Sequence, residues 1–237
     1  MNKDETCGLI REIGIIPAIR VSTAEDAHFA AEAVMSGGIP IVEITLTVTG
    51  AVELIAHLAH YHPKMMVGAG TVLDTEMAGK CIDAGASFLT SPGLSTKVIE
   101  FASKKGISVL PGALTPTEVV EAWEAGCDFV KVFPCAAVGG DKYIKSLKTA
   151  LPQVPLIAAG GVNQQTATNY ILAGATAIGV GGELIPAEAI ERRQAKRIRE
   201  LALRFSGFVR EARERVEPQK KAAAVGPYTK IEECERR

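Results

Sequence analysis

The sequence predicts an α/β fold, a single (β/α)8 TIM barrel with an N-terminal helix and an extended C-terminal helix. Two observations carry this prediction. Eight short β-rich apolar runs recur along the chain, and each is followed by a helix-like stretch. Strands that alternate with helices indicate a parallel sheet, and eight such units indicate a sheet closed into a barrel. An open, doubly wound sheet is the alternative that the pattern leaves.

The eight runs begin roughly 20–27 residues apart, the size of one compact βα unit. In order they are IIPAIR (15–20), IVEIT (41–45), MMVGAGT (65–71), FLTSP (88–92), ISVLPG (107–112), FVKVFP (129–134), LIAAGG (156–161) and AIGVGG (177–182). Three of the segments between them end in Ala-Gly-Ala or Ala-Gly-Cys, at 84–86, 125–127 and 173–175. Glycine at this position is typical of a helix C-terminus, so the intervening segments are predicted to be helices.

The C-terminal part of the chain differs from the repeating units. Apolar residues recur at helical spacing after the last run, which predicts a longer helix from about Ala187 to Val216. The predicted domain therefore spans residues 1–216. The polar, small-residue-rich tail at 217–237 is expected to be disordered.

Composition limits the function classes. The 237 residues are 47% hydrophobic and carry a formal net charge of −1, which gives no attraction toward nucleic acid or an anionic membrane. The five cysteines are odd in number, with no C-x-x-C spacing, and so predict reduced thiols rather than disulfides or a zinc site. We see no signal peptide and no apolar stretch near the length that spans a bilayer, so a cytoplasmic protein without a membrane partner is expected.

Only three charged residues fall within the eight runs: Arg20, Glu43 and Lys131. Alternate residues of a strand point to opposite sides, and the flanking Val and Ile residues belong against the helices, so all three charges should face the barrel interior. Unpaired charges are costly there. A Lys131–Glu43 ion pair that only satisfies itself is the structural alternative, weakened because apolar replacements of such pairs are often neutral or stabilising.

These residue types point to imine chemistry. Burial favours the neutral amine of a lysine, which can attack a ketone and form an imine. The imine accepts electrons, so an adjacent C–C bond can break or form. Glu43 could then move the protons, and Arg20 offers a bidentate fork for a substrate carboxylate. This chemistry requires neither a metal nor a cofactor beyond the covalent imine on Lys131.

The four histidines have two interpretations. His28 falls on the first predicted barrel helix, and His57, His60 and His62 fall on the second or just after it. A zinc site is one interpretation. The favoured interpretation is that they are helix-surface histidines at the N-terminal end of the barrel, so no metal site is predicted.

Six motifs together resemble the family of 2-keto-3-deoxy-6-phosphogluconate (KDPG) and 4-hydroxy-2-oxoglutarate (KHG) aldolases. They cover residues 15–185 in the family's order and spacing. The motifs are Val-Glu-Ile-Thr-Leu (42–46), Gly-Ala-Gly-Thr-Val (68–72), Ser-Pro-Gly (91–93), Pro-Gly-Ala-Leu-Thr-Pro-Thr-Glu (111–118), Val-Lys-Val-Phe-Pro (130–134) and Gly-Gly-Val (160–162).

The resemblance implies a class I, metal-independent aldehyde-lyase that cleaves or forms 2-keto-3-deoxy-(phospho)sugar acids or 4-hydroxy-2-oxoglutarate, with pyruvate and an aldehyde as the small-molecule partners. It implies that Lys131 forms the imine and that Glu43 is the general acid/base. Thr71 and Pro92 would line the pyruvate pocket, and Phe133 would pack beside the imine. It also implies a homotrimer.

Substrate-binding positions show departures from the family. Some members carry an arginine where Thr47 stands; others use an arginine at the end of the first strand, which Arg20 matches. The backbone amides of a phosphate site would come from Gly160, Gly161, Gly181, Gly182 and Glu183. A threonine is usual at Ala159 and a serine at Glu183, so a phosphorylated aldehyde is the uncertain part of the expectation.

Two other functions remain open at this point. A non-catalytic barrel could bind a small anion or serve as a trimeric assembly subunit, although retention of both Lys131 and Glu43 speaks against it. A phosphate-binding barrel isomerase or synthase would not explain an inward lysine beside Phe133.

Overall fold

A parallel β-sheet forms the centre of the molecule. The computed structural model describes residues 1–224, which contain nine strands and ten α-helices. The strands, β1 to β9, are Ile15–Ile19, Ile41–Thr45, Met66–Gly70, Phe88–Thr90, Ser108–Leu110, Gly112–Ala113, Val130–Val132, Leu156–Ala159 and Ala177–Val180. Their order in the sheet is β5-β4-β3-β2-β1-β9-β8-β7-β6.

The two ends of this order are halves of one strand. Only Pro111 separates β5 from β6; β5 pairs with β4, and β6 pairs with β7. Proline has no N–H to donate to a ladder, which explains the interruption. Its carbonyl still accepts from the Lys131 N–H at 2.9 Å. The sheet is therefore closed into an eight-stranded barrel, and all eight predicted runs form its strands.

Helices connect and cover the strands. Within the described chain, α1 to α10 are Lys3–Ile13, Ala24–Ser36, Ala51–Tyr61, Thr75–Asp83, Thr96–Lys104, Pro116–Glu124, Asp141–Ala150, Ala167–Leu172, Ala187–Glu191 and Ala195–Ala224. Several begin at a strong cap. Asn2 and Glu5 form a capping box at α1, and Thr115 with Glu118 forms another at α6, where Pro116 is the first helical residue.

The buried apolar residues form one cluster between barrel and helices. Val42 and Ile44 on β2, and Val130 and Val132 on β7, are fully buried members of it. Burial of this surface is the main stabilising contribution to such a fold. The residues that alternate with them, Glu43 and Lys131, are left to face the barrel interior.

The prediction of one continuous helix from Ala187 to Val216 is wrong. The structure divides it into α9 and α10 at Arg192–Gln194, where Arg193 has a φ of 50° that no helix accommodates. Arg193 ion pairs with Glu25 and Asp26, each at 2.9 Å, and lies over the Phe29 ring. These contacts with α2 stabilise the break.

The C-terminal helix also extends further than predicted. α10 runs to Ala224, so the first part of the tail expected to be disordered is helical; Gln219–Ala224 is a run of strong helix formers. The rest of that expectation, 225–237, lies outside the described residues. None of the helices within residues 1–224 combines the length and apolar character needed to cross a bilayer.

Candidate active site

A cavity of about 510 Å³ opens at the carboxyl ends of the barrel strands. All three inward charges predicted from the runs line it. The lining residues are Ile16, Ala18, Arg20, Glu43, Thr90, Leu110, Lys131, Phe133, Ile157, Ala159, Gly160, Gly161, Val162, Gly179, Gly181, Gly182 and Glu183. Barrel enzymes carry their active sites at this end, so this cavity is the candidate site.

Lys131 and Glu43 reach toward each other across the barrel. Their strands, β7 and β2, are separated by three barrel strands on either side. Lys131 Nζ lies 3.8 Å from Glu43 Oε1, and the side chains are 13% and 4% exposed. This distance is within reach of an ion pair but too long for a hydrogen bond. A substrate atom attached to the amine would therefore lie within reach of the carboxylate.

Thr90 is a site residue that the sequence reasoning missed. It ends β4, is buried, and its Oγ1 accepts a hydrogen bond from Lys131 Nζ at 3.4 Å. The signal available was a polar residue at the end of a barrel strand. Phe133 is also close to the amine, with its ring centroid 5.4 Å from Lys131 Nζ. Phe133 thus packs beside the lysine, where the resemblance expected it.

The buried carboxylate depends on a small residue on the neighbouring strand. Gly70 ends β3, beside β2, and a Cβ there would lie 2.2 Å from Glu43 Oε1. Any side chain at this position would displace the carboxylate. The glycine of the Gly-Ala-Gly-Thr-Val motif therefore provides the space that Glu43 occupies.

Arg20 lies at the outer end of the cavity. It follows β1, which pairs in register with β2 so that Ala18 lies opposite Glu43. Its side chain is exposed, unlike those of Lys131 and Glu43. A guanidinium at the mouth of the cavity can bind the carboxylate of a small substrate whose other end reaches the lysine.

Glycine-rich loops after β8 and β9 form the part of the rim next to Arg20, since β9 pairs with β1 and β8 pairs with β9. Gly160 and Gly161 have φ values of 82° and 86°, and a Cβ on Gly161 would lie 2.3 Å from the Ala136 side chain. Only glycine fits this turn without strain. Gly181, Gly182 and the exposed Glu183 follow β9 and also line the cavity.

Three further residues that the resemblance implies for substrate binding are not among those that line the cavity, and their roles stay predictions. Within the described chain, Thr47, Thr71 and Pro92 are outside its lining. Thr47 follows the end of β2 and hydrogen bonds to Thr45 Oγ1 at 2.8 Å. Thr71 directly follows β3 and has a φ of 64°, and the Pro92 carbonyl lies close to Gly112.

Cys135, two residues after Phe133, is not a competing nucleophile. It is fully buried, and this burial raises the pKa of its thiol to about 11. The thiolate is the nucleophilic form of cysteine, and it is scarce at neutral pH for such a group. Lys131, unlike Cys135, lines the cavity.

A larger, more open groove of about 1010 Å³ runs along the start of α10 and shares Gly182 and Glu183 with the cavity. Half of its other lining residues are charged and exposed, among them Lys196, Arg197 and Arg204. None of the three inward charges lines it. Glu183 thus stands between the cavity and this outer groove.

Comparison with known proteins agrees with this geometry. The sequence model of the family "KDPG and KHG aldolase" matches residues 7–201. The KHG/KDPG aldolase of Escherichia coli K12 is 34% identical over 189 residues, which cover 79% of this chain and 88% of that protein.

Two solved structures are similar throughout the barrel. A KDPG aldolase from Legionella pneumophila, with pyruvate captured as a covalent carbinolamine intermediate, has a TM-score of 0.78 and 31% identity, covering 83% of this chain and 96% of its own. The KDPG aldolase of Zymomonas mobilis ZM4 with 3-phosphoglycerate has a TM-score of 0.77 and 30% identity, covering 85% and 94%. The barrel is therefore shared along nearly the whole length of these relatives.

The family match covers well over half of the chain, and its boundaries enclose both Glu43 and Lys131. The chain belongs to the KDPG and KHG aldolase family of lyases.

Proposed function

We propose that Lys131 forms an imine with the ketone carbon of a 2-keto acid and that Glu43 moves the protons of the reaction. The enzyme then cleaves a 4-hydroxy-2-keto acid to pyruvate and an aldehyde, or joins them. One observation carries the proposal: the Lys131 amine lies 3.8 Å from the Glu43 carboxylate inside a cavity open to substrate. A nucleophile and a base at this separation can both contact one small substrate.

Cleavage proceeds through a covalent intermediate on Lys131. The neutral Lys131 amine adds to the ketone carbon, and the resulting carbinolamine loses water to form the iminium. Glu43 takes the proton of the C4 hydroxyl group and the C3–C4 bond breaks. The aldehyde leaves, and the electron pair of the broken bond moves into the iminium, which becomes an enamine. Glu43, directly or through a water, returns the proton to C3. Water then hydrolyses the iminium and releases pyruvate and the free amine.

Thr90 and Phe133 both lie close to the Lys131 amine and support formation of the imine. The Thr90 hydroxyl lies at hydrogen-bond distance from Nζ and can accept from the amine or donate to the carbinolamine oxygen. The Phe133 ring, 5.4 Å away, covers the amine and limits its solvation. Arg20 binds the substrate carboxylate, which fixes the ketone carbon near Nζ.

The aldehyde end of the substrate extends toward Gly160–Gly161 and Gly181–Gly182. Their backbone N–H groups can hold an anionic or hydroxylated group, a common use of the last two barrel loops. Glu183 adds a carboxylate to the same rim, and an ionised carboxylate only accepts hydrogen bonds. Glu183 therefore favours aldehydes without a phosphate, relative to family members with serine.

A homotrimer is the assembly that the family resemblance implies, and we propose it for this chain. Leu73 and Met77, just after β3, are 56% and 38% exposed, as apolar residues at a subunit interface would be in an isolated chain. Sedimentation equilibrium should give three chains per particle. A monomer at micromolar concentration would contradict the proposal.

Pyruvate trapping tests the chemistry directly. Incubation with pyruvate and borohydride should add one reduced adduct per chain, mapped by mass spectrometry to the peptide containing Lys131. Lys131→Met should abolish the adduct, and Lys142→Met, a matched change at an exposed lysine, should not. An adduct that persists in Lys131→Met refutes the assignment, and its absence from the wild type would favour a non-catalytic anion-binding barrel.

A further inference from the structure

Three histidines meet on the outer face of the barrel, away from the active-site cavity. His28 lies on α2, His57 on α3, and His62 caps the end of α3. One ring nitrogen from each lies within 4.8 Å of the other two. The sequence left a zinc site as the less favoured interpretation of these histidines, and the structure brings three of the four together; His60 is outside the group.

His28 is oriented as a metal ligand would be. Its Nδ1 faces Glu32 Oε2 at 3.9 Å, one turn further along α2. Its Nε2 is buried and has no hydrogen-bond partner among the described residues. In metal sites, a ligating histidine directs one nitrogen to a carboxylate and the other to the ion, and the carboxylate fixes the ring orientation. The Glu32 carboxylate faces His28 Nδ1 from the required side, at a distance longer than a hydrogen bond, and a small rotation of either side chain would bring the two atoms to bonding distance.

The ring geometry leaves room between the nitrogens. The His28 ring meets those of His57 and His62 edge-on, with centroids 5.4 and 5.6 Å apart. A tetrahedral ion with metal–nitrogen bonds of 2.0–2.1 Å places its ligand nitrogens roughly 3.4 Å apart. Rotation of the exposed His57 ring can close a separation of up to 4.8 Å to this value.

The donor set selects the class of ion. Three neutral imidazoles suit borderline divalent transition metals such as Zn²⁺, Ni²⁺ and Cu²⁺, and not Mg²⁺ or Ca²⁺, which require oxygen ligands. Among the described residues, the grouped ligand atoms are all imidazole nitrogens, and the nearby Glu32 carboxylate faces Nδ1 of His28. The fourth position would be open to water on the side of the exposed His57.

We propose that His28, His57 and His62 bind one divalent transition-metal ion, for which Glu32 orients His28. The ion links α2 to α3, the helices that follow the strands of Arg20 and Glu43. It takes no part in the imine chemistry, so this site is independent of the proposed function. Its role is to fasten two neighbouring βα units on the outside of the barrel.

Calorimetric titration with Zn²⁺ alone, on chelator-treated full-length protein, tests the site. We expect one ion per chain and a rise in Tm, because the ion binds the folded arrangement of ligands. His28→Ala should weaken binding at least tenfold. The matched control is His60→Ala, an exposed α3 histidine outside the cluster, which should leave affinity unchanged.

Glu32→Gln separates a positioning role from a direct contact. It should lower Zn²⁺ affinity by roughly 10- to 100-fold while leaving the stoichiometry at one. Pyruvate trapping at Lys131 should be unaffected in every variant, so a failure here is distinguishable from a failure of the imine proposal. The metal site is refuted if wild type does not bind Zn²⁺, or if His28→Ala and His60→Ala bind it equally.

Discussion

The centre and the rim of the cavity place their charges in different surroundings. Lys131 and Glu43 are 13% and 4% exposed and are positioned by neighbouring residues, among them Thr90, Phe133 and Gly70. Arg20 and Glu183 at the rim are exposed. Electrostatic interactions are much stronger in a water-poor site than at the surface. The centre is therefore suited to chemistry, whereas the rim adjusts which substrate is bound.

The largest effect is expected from the centre, in Glu43→Gln. The amide keeps the shape of the side chain but cannot take a proton, and general acid–base catalysis contributes about 10²- to 10⁴-fold. Exchange of pyruvate methyl protons in deuterated water, followed by NMR, should fall by this factor while the borohydride adduct still forms. Exchange at the wild-type rate would mean that another group is the base.

Gly70→Ala tests whether the centre is as tightly packed as the distances indicate. The new methyl group would lie 2.2 Å from Glu43 Oε1, so either the carboxylate or β3 must move. We expect a loss of about 1–3 kcal/mol in unfolding free energy, typical of overpacking, together with a fall in kcat. Gly79→Ala in α4 is the control, since its methyl group would make an ordinary van der Waals contact with Phe101 at 3.6 Å and alanine favours a helix. Equal stability of the two variants would contradict the close packing.

Arg20→Ala at the rim should weaken pyruvate binding, with a smaller effect than the changes at the centre. Loss of a charge-assisted hydrogen bond costs about 1.5–3 kcal/mol, and the exposed position favours the lower end. The change should appear mainly as a higher KM for pyruvate in steady-state kinetics. Arg204→Ala in the outer groove serves as the matched control. A fall in kcat with KM unchanged would place Arg20 in the chemical steps instead.

Glu183→Ser is expected to have the smallest effect. Two negative groups ~4 Å apart repel by about 1 kcal/mol in water, and Glu183 is exposed, so the water value applies. Relative kcat/KM for glyceraldehyde 3-phosphate over glyceraldehyde should rise roughly fivefold in the variant. Glu191→Ser, an exposed change on α9, should leave the ratio unchanged. If the wild type already prefers the phosphorylated aldehyde and the ratio does not move in Glu183→Ser, repulsion at the rim is refuted.

Local pattern was enough to predict the strands and the direction of their side chains. Backbone geometry alternates side chains along each strand, so Glu43 and Lys131 could be assigned to the interior from their apolar neighbours alone. All eight runs form barrel strands for the same reason. The motifs around these residues then identified the family, which the comparisons confirm.

Contacts between distant segments were decided only by the tertiary structure. Closure of the whole sheet brings Thr90, at the end of β4, within hydrogen-bond distance of the Lys131 amine on β7. The break at Arg193 depends on Glu25 and Asp26 in α2. The meeting of His28 with His57 and His62 depends on the packing of α2 against α3. Sequence periodicity fixes which face a residue occupies, but distances across a barrel or between helices follow from strand register and helix packing, which no local pattern records.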